Sequence, residues 1–156
     1  MELFRKKAKN VIINSKSIKR IRLYGEHLST FIDKYQLDNR REKIRVPTCI
    51  WTASLDSVKE YLKSVFQSDG YCTKDGIGLA TISKLWMQDV QKLLLSRFGI
   101  YSTLAEKQEK RSNRKNTHCV SIFTKSERKS FYQKIGFVDA RKNKKVLASL
   151  FLKGKK

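Results

Sequence analysis

A chain of 156 residues can build one domain with a real core, and 40 % hydrophobic residues exclude a wholly disordered protein. Thirty-five Lys and Arg against 14 Asp and Glu leave a net charge of +21, more than solubility requires, which points to a polyanionic partner, most often nucleic acid. Cys49, Cys72 and Cys119 show no C-x-x-C spacing and have only His27 and His118 beside them, so no zinc site can be read.

In chain order, "NVIIN" reads as a short strand, and "GEHLSTFIDKYQL" as a helix with Leu28, Phe31, Ile32 and Tyr35 on one face. The single proline, Pro47, divides the sequence. A second helix follows, with Val58, Leu62, Val65 and Phe66 as its stripe and Ser57 and Glu60 as a capping box at its start. It runs through "EYLKSVFQSDG", with Ser64 and Ser68 four apart on one face. Asp75-Gly76 then marks a hairpin between "GYCTK" and "GIGLATIS".

"KLWMQDVQKLLLSRFGI" is the clearest helix, with Gly99 placed to end it. A second hairpin joins "IYSTLAEKQ" to "THCVSIFTK" through the basic tip "EKRSNRKN". If "THCVSIFTK" is a strand, the neighbours His118 and Cys119 point to opposite faces. "SERKSFYQKIGF" and "KKVLASLFLK" read as two final helices. The expected order after Pro47 is helix, two strands, helix, two strands, helix, helix. Three scattered thiols suit a reducing, intracellular setting, cytoplasmic or organellar. No apolar run approaches a membrane span, and no secretory signal opens the chain, so no membrane partner is expected.

A weak internal repeat runs through the chain. "FIDKYQLDNRREKIRV" (31–46) aligns with "FYQKIGFVDARKNKKV" (131–146), matching Phe31 to Phe131, Lys34 to Lys134, Arg41 to Arg141 and Val46 to Val146. On this reading residues 1–46 are the C-terminal tail of a preceding repeat, residues 47–156 are a complete one, and the first repeat lacks its beginning.

"YLKSVFQSDG" resembles the signature helix of the LAGLIDADG homing endonucleases, especially intein-encoded ones. Leu62, Val65, Phe66, Asp69 and Gly70 match, while Ser64 and Ser68 stand where glycine and alanine are usual. Val46-Pro47 ahead of the signature, a helix ending in "GI", and "IGF" followed by lysines agree with the family. The resemblance implies an α+β fold of order αββαββα, in which the signature helix stands over an antiparallel, saddle-shaped sheet. It implies site-specific, Mg²⁺-dependent hydrolysis of double-stranded DNA. Asp69 and Gly70 then lie at the metal, with Asp69 catalytic and Lys142 and Lys144 as candidate lysines near the attacking water. By the internal repeat, Lys43 is the counterpart in the earlier copy.

The residues support that reading independently. Small Ser64 and Ser68 on one face let a second helix approach closely. A carboxylate at a helix C-terminus is electrostatically disfavoured, and two such carboxylates side by side call for a divalent cation between them. The resemblance further implies DNA contacts from the sheet and its loops, with Lys74, Lys107, Lys110, Arg111, Arg114, Lys115 and His118 as candidates. Only one signature motif is present, so the chain resembles a two-repeat enzyme without its first motif: a fragment, a piece of a split enzyme, a homodimer or a partner of a complementary chain that supplies the second helix, or a decayed binder. The ends carry no splicing signature: no cysteine at position 1 and no His-Asn terminus. The alternatives are a catalytically inactive DNA-binding remnant, a maturase for group I intron RNA and, outside the family, a basic RNA-binding structural protein.

Overall fold

The computed structural model describes residues 26–35, 37–109 and 115–151, in two units that divide between Asp38 and Asn39. The first holds helix α1 (Glu26–Lys34), whose Phe31 ring meets that of Tyr35, just past its end, at 4.7 Å and a tilt of 59°. The expected "NVIIN" strand lies outside the described residues.

The second unit opens with a single 3-10 turn at Arg41–Lys43 and a one-turn helix α2 (Thr48–Trp51). There follow α3 (Leu55–Asp69), β1 (Gly70–Cys72), β2 (Ile77–Thr81), α4 (Lys84–Phe98), β3 (Thr103–Lys107), β4 (Thr117–Ile122), α5 (Lys125–Lys134) and α6 (Ala140–Phe151). From α3 onward this is the expected order, and the fold is α+β. The four strands form one antiparallel sheet of order β1-β2-β4-β3. Ile77, Leu79, Val120 and Ile122 are fully buried and share a core with Val58, Leu62 and Phe66 of α3 and with Met87, Val90, Leu93 and Leu94 of α4.

α3 begins a turn earlier than its expected capping box. Ser54, in extended conformation, is the N-cap and accepts from the Ser57 amide at 3.2 Å. Ser57 therefore lies inside the first turn, and Glu60 reaches Lys63 instead. The earlier start puts Val58 on the buried face. α4 ends as expected: Gly99 is left-handed (φ 63°), its amide bonds the Leu95 carbonyl, and the Ile100 amide bonds that of Leu94. α6 is longer than its apolar pattern suggested. Asp139 accepts from the Arg141 amide at 2.7 Å and starts the helix there. Hydrogen bonds from Arg141 hold the Asp139 carboxyl below its ordinary range.

Pro47 does not mark the edge of this unit. Arg45 makes a two-pronged ion pair with buried Asp89 on α4 (2.6 and 2.9 Å), which also accepts from the Val46 amide. Ser83, the buried N-cap of α4, donates to the carbonyls of Glu42 and Ile44 and accepts from the Trp86 amide. Val46 is itself in the core. Residues 39–46 are thus a strap fixed across the start of α4.

Candidate active site and nucleic-acid interface

The signature helix presents two faces. Val58, Leu62 and Phe66 are buried, while Ser57, Ser64 and Ser68 lie exposed along the other side. Asp69 is the last residue of α3 and is exposed. The Ser68 hydroxyl lies 3.2 Å from one carboxylate oxygen of Asp69 and 3.1 Å from the Val65 carbonyl. Gly70 starts β1 with no residue between helix and strand. It is extended (φ −79°), and a Cβ there would collide with the Phe66 backbone, its Cα being 2.9 Å away. Close approach, and not a left-handed turn, is what requires glycine at this point.

The end of α3 is held by the start of α6. Lys142 sends its ammonium to the carbonyls of Gln67 (2.7 Å), Gly70 (2.8 Å) and Phe66 (3.4 Å), and lies 5.3 Å from the centre of the Phe137 ring. The Asp139 amide donates to Gln67 Oε1 at 3.0 Å. Phe66 packs edge to face on Phe131 and Phe137 beneath this junction, and those two rings meet at a tilt. A lysine carries three donors, and here they meet carbonyls at the helix end, of which that of Phe66 also accepts from the Gly70 amide. Its charge also opposes the negative end of the helix dipole beside Asp69. Lys144 lies two residues on and is exposed.

The register fixes the sheet's free face. Residues of opposite parity to Ile77, Leu79, Val120 and Ile122 stand away from the helices. Tyr71, Gly78, Ser121 and Thr103 form one row, Ala80, Cys119 and Ala105 the next, and Thr117 and Lys107 a third. Of the expected DNA-contacting residues, exposed Lys107 lies on this face, and Lys74 is exposed in the β1–β2 turn. Lys115 is ion-paired with Glu42. His118 shares the parity of Val120, pairs with Thr81 and Glu106, and is half-buried on the helix-covered side, whereas Cys119 takes the free face. Lys110, Arg111 and Arg114 lie outside the described residues. The outward set Thr117, Cys119 and Ser121 was not singled out from sequence, although the inward pair Val120 and Ile122 in "THCVSI" carries the signal.

Burial pushes the Cys72 thiol up, against the opposing pull of Lys145, Arg128 and Lys142. Among the described residues, no three His, Cys, Asp or Glu come together to hold a metal ion. Asp69 provides a single exposed carboxylate, a hard oxygen ligand of the kind Mg²⁺ takes, so it fits one share of a divided site.

Residues 56–136 match the LAGLIDADG-like domain. The chain belongs to the LAGLIDADG family, whose members are DNA endonucleases that typically use a divalent metal. Its relatives carry other names. It is 38 % identical over 118 residues to the replication factor C small subunit of Methanocaldococcus jannaschii, covering 75 % of this chain and 6 % of that protein. It is 32 % identical over 117 residues to glutamine–fructose-6-phosphate aminotransferase of the same organism, covering 74 % of this chain and 11 % of that one. Against the DNA polymerase II large subunit of Thermococcus kodakarensis it is 28 % identical over 116 residues, 64 % of this chain and 6 % of the relative. The chain thus spans about a tenth or less of these relatives. Among the described residues no helix is long and apolar enough to cross a membrane.

Proposed function

We propose that this chain is one half of a site-specific, double-stranded DNA endonuclease of the homing type, completed by a second signature helix. The observation that carries the reading is the exposed face of α3: small Ser57, Ser64 and Ser68 in a line, ending at exposed Asp69. A second helix laid against that face brings a second carboxylate beside Asp69. Matches to small parts of a replication factor, an aminotransferase and a polymerase fit a mobile segment shared by proteins of unrelated work, as an intein-borne or intron-borne element would be.

The preceding-repeat reading of residues 1–46 draws support from the two aligned segments. α1 ends at Lys34 and α5 at Lys134, and a buried valine follows each, Val46 beyond a 3-10 turn and Val146 within α6. A second signature helix, from another copy or a complementary chain, would complete the proposed enzyme.

In this reading the free sheet face lies along the major groove, where hydroxyl and methyl groups of Thr103, Thr117, Ser121 and Ala105 meet base edges. Lys74, Lys107 and the tip cations Lys110, Arg111, Arg114 and Lys115 meet phosphates. Mg²⁺ at Asp69 would supply an activated water and charge neutralisation at the leaving oxygen. Lys144 is free to approach the scissile phosphate, while Lys142 positions the helix end that carries Asp69. The test is nicking and double-strand cleavage of a randomised target library with Mg²⁺, by wild type and by Asp69→Asn. Cleavage lost in the variant with binding kept supports the proposal. Equal cleavage by both proteins would sink it.

A further inference from the structure

The free face of the sheet carries three exposed aromatic rings at one end. Tyr71 is 44 % exposed, Phe123 55 % and Tyr101 69 %. Two glycines give the first two rings their seats. A Cβ on Gly78 would run into the Tyr71 ring, and one on Gly76 would come within 3.1 Å of the Phe123 ring. Gly76 and Gly78 share the parity that faces away from the helices, since Ile77 between them is buried. Both rings therefore lie on the free face, over glycines two residues apart in the chain. Extending the β3–β4 register two residues past the Thr103–Ser121 rung sets Tyr101 across from Phe123. The Tyr101 amide is fixed there by Glu127 Oε2 at 2.8 Å.

Exposed aromatics on an open four-stranded sheet suit unpaired bases, because every base has a stacking face and a single strand leaves it uncovered. In a duplex those faces are covered by neighbouring pairs. The charge is right for a polynucleotide: the chain carries +21. Exposed Lys74 and Lys125 flank the rings, with exposed Asp75 and half-buried Glu127 beside them. We propose that this end of the sheet binds single-stranded DNA by stacking Tyr71, Phe123 and Tyr101 on successive unpaired bases. This goes beyond the duplex-cleavage reading and does not depend on it.

The test is fluorescence anisotropy of labelled 20-nucleotide oligo-dT, a 20-base-pair duplex and oligo-rU at fixed salt. The proteins are wild type, Tyr101→Ala, Tyr71→Leu and Phe123→Leu, the last two keeping apolar cover over the glycines. Stacking is worth about 1–3 kcal/mol per base, so each variant should bind oligo-dT about five- to 150-fold more weakly, with duplex binding changed less than about twofold. Tyr101 is the most exposed of the three, so its variant keeps the test decisive if another fails to fold. Variants that hold oligo-dT like wild type, or lose duplex binding equally, would overturn the proposal. So would a wild type that does not bind oligo-dT, or prefers oligo-rU tenfold. Oligo-dT binding without duplex binding would support the stacking site and count against the nuclease reading alone.

Discussion

Replacing Lys142 by Met removes one ammonium and leaves the aliphatic stem over Phe137. The carbonyls of Phe66, Gln67 and Gly70 lose the ammonium at once, although that of Phe66 keeps the Gly70 amide. Hydrogen bonds to a charged group are worth about 1.5–3 kcal/mol each. Here one half-buried ammonium serves all three, and water can reach part of the site, so the contributions do not triple. The lost helix-end charge adds about 0.3–1 kcal/mol and the ring contact about 0.5 kcal/mol. The total is about 2 kcal/mol. For a unit of this size that is a fall in Tm of about 8 °C, or in urea midpoint of about 1–1.5 M with the slope unchanged. Thermal and urea denaturation followed by circular dichroism measure both. Lys144→Met, exposed on the same helix, is the control and should cost less than about 0.5 kcal/mol. If Lys142→Met is as stable as the control while cleavage disappears, Lys142 acts on the phosphate and the positioning argument is wrong.

Arg45→Ala strips the buried Asp89 carboxylate of its cation. Arg45 is 50 % exposed, which discounts the pair, so a loss of about 2 kcal/mol is expected by urea denaturation. Gly70→Ala forces the helix end away from β1 and should cost about 2–3 kcal/mol, as overpacking does, with Lys142 losing its grip on the same carbonyl. Asp69→Asn removes an exposed charge from the negative end of α3, so it should leave Tm unchanged or slightly raised, a result read by calorimetry. Cys72 should react with iodoacetamide more slowly than exposed Cys49 at pH 7.5, by peptide mass mapping, with the gap closing as pH rises. Because burial raises the folded Cys72 value above the unfolded one, this thiol's stabilising share is complete below about pH 8.5 and is lost as pH climbs through the folded value.

The element order could be read because periodicity and punctuation agree in this chain. Asp75-Gly76 turns where the Thr73 hydroxyl accepts the Asp75 and Gly76 amides, and Gly99 ends α4 in the left-handed region. The start of α3 was misplaced because two serines three apart both qualify as caps, and only packing of Val58 decides between them. The strap is invisible in a linear reading: its partners Ser83 and Asp89 lie about forty residues away. Asp69 and the small face of α3 were legible from the signature. The task of Lys142 was not, since a lysine on a basic helix looks alike whether it meets a phosphate or a carbonyl. The faces of β4 needed the register, for His118 and Cys119 are neighbours with opposite surroundings.

Asp69 closes a helix and Gly70 opens a strand, with nothing between them. A joint without slack acts as a gear: if a companion helix turned α3, the sheet would turn with it. On the proposed function, aligning the acids and setting the pitch of the sheet would be a single adjustment, and a target that fits the sheet poorly would also misalign the acids. Insertions at this joint would break both at once.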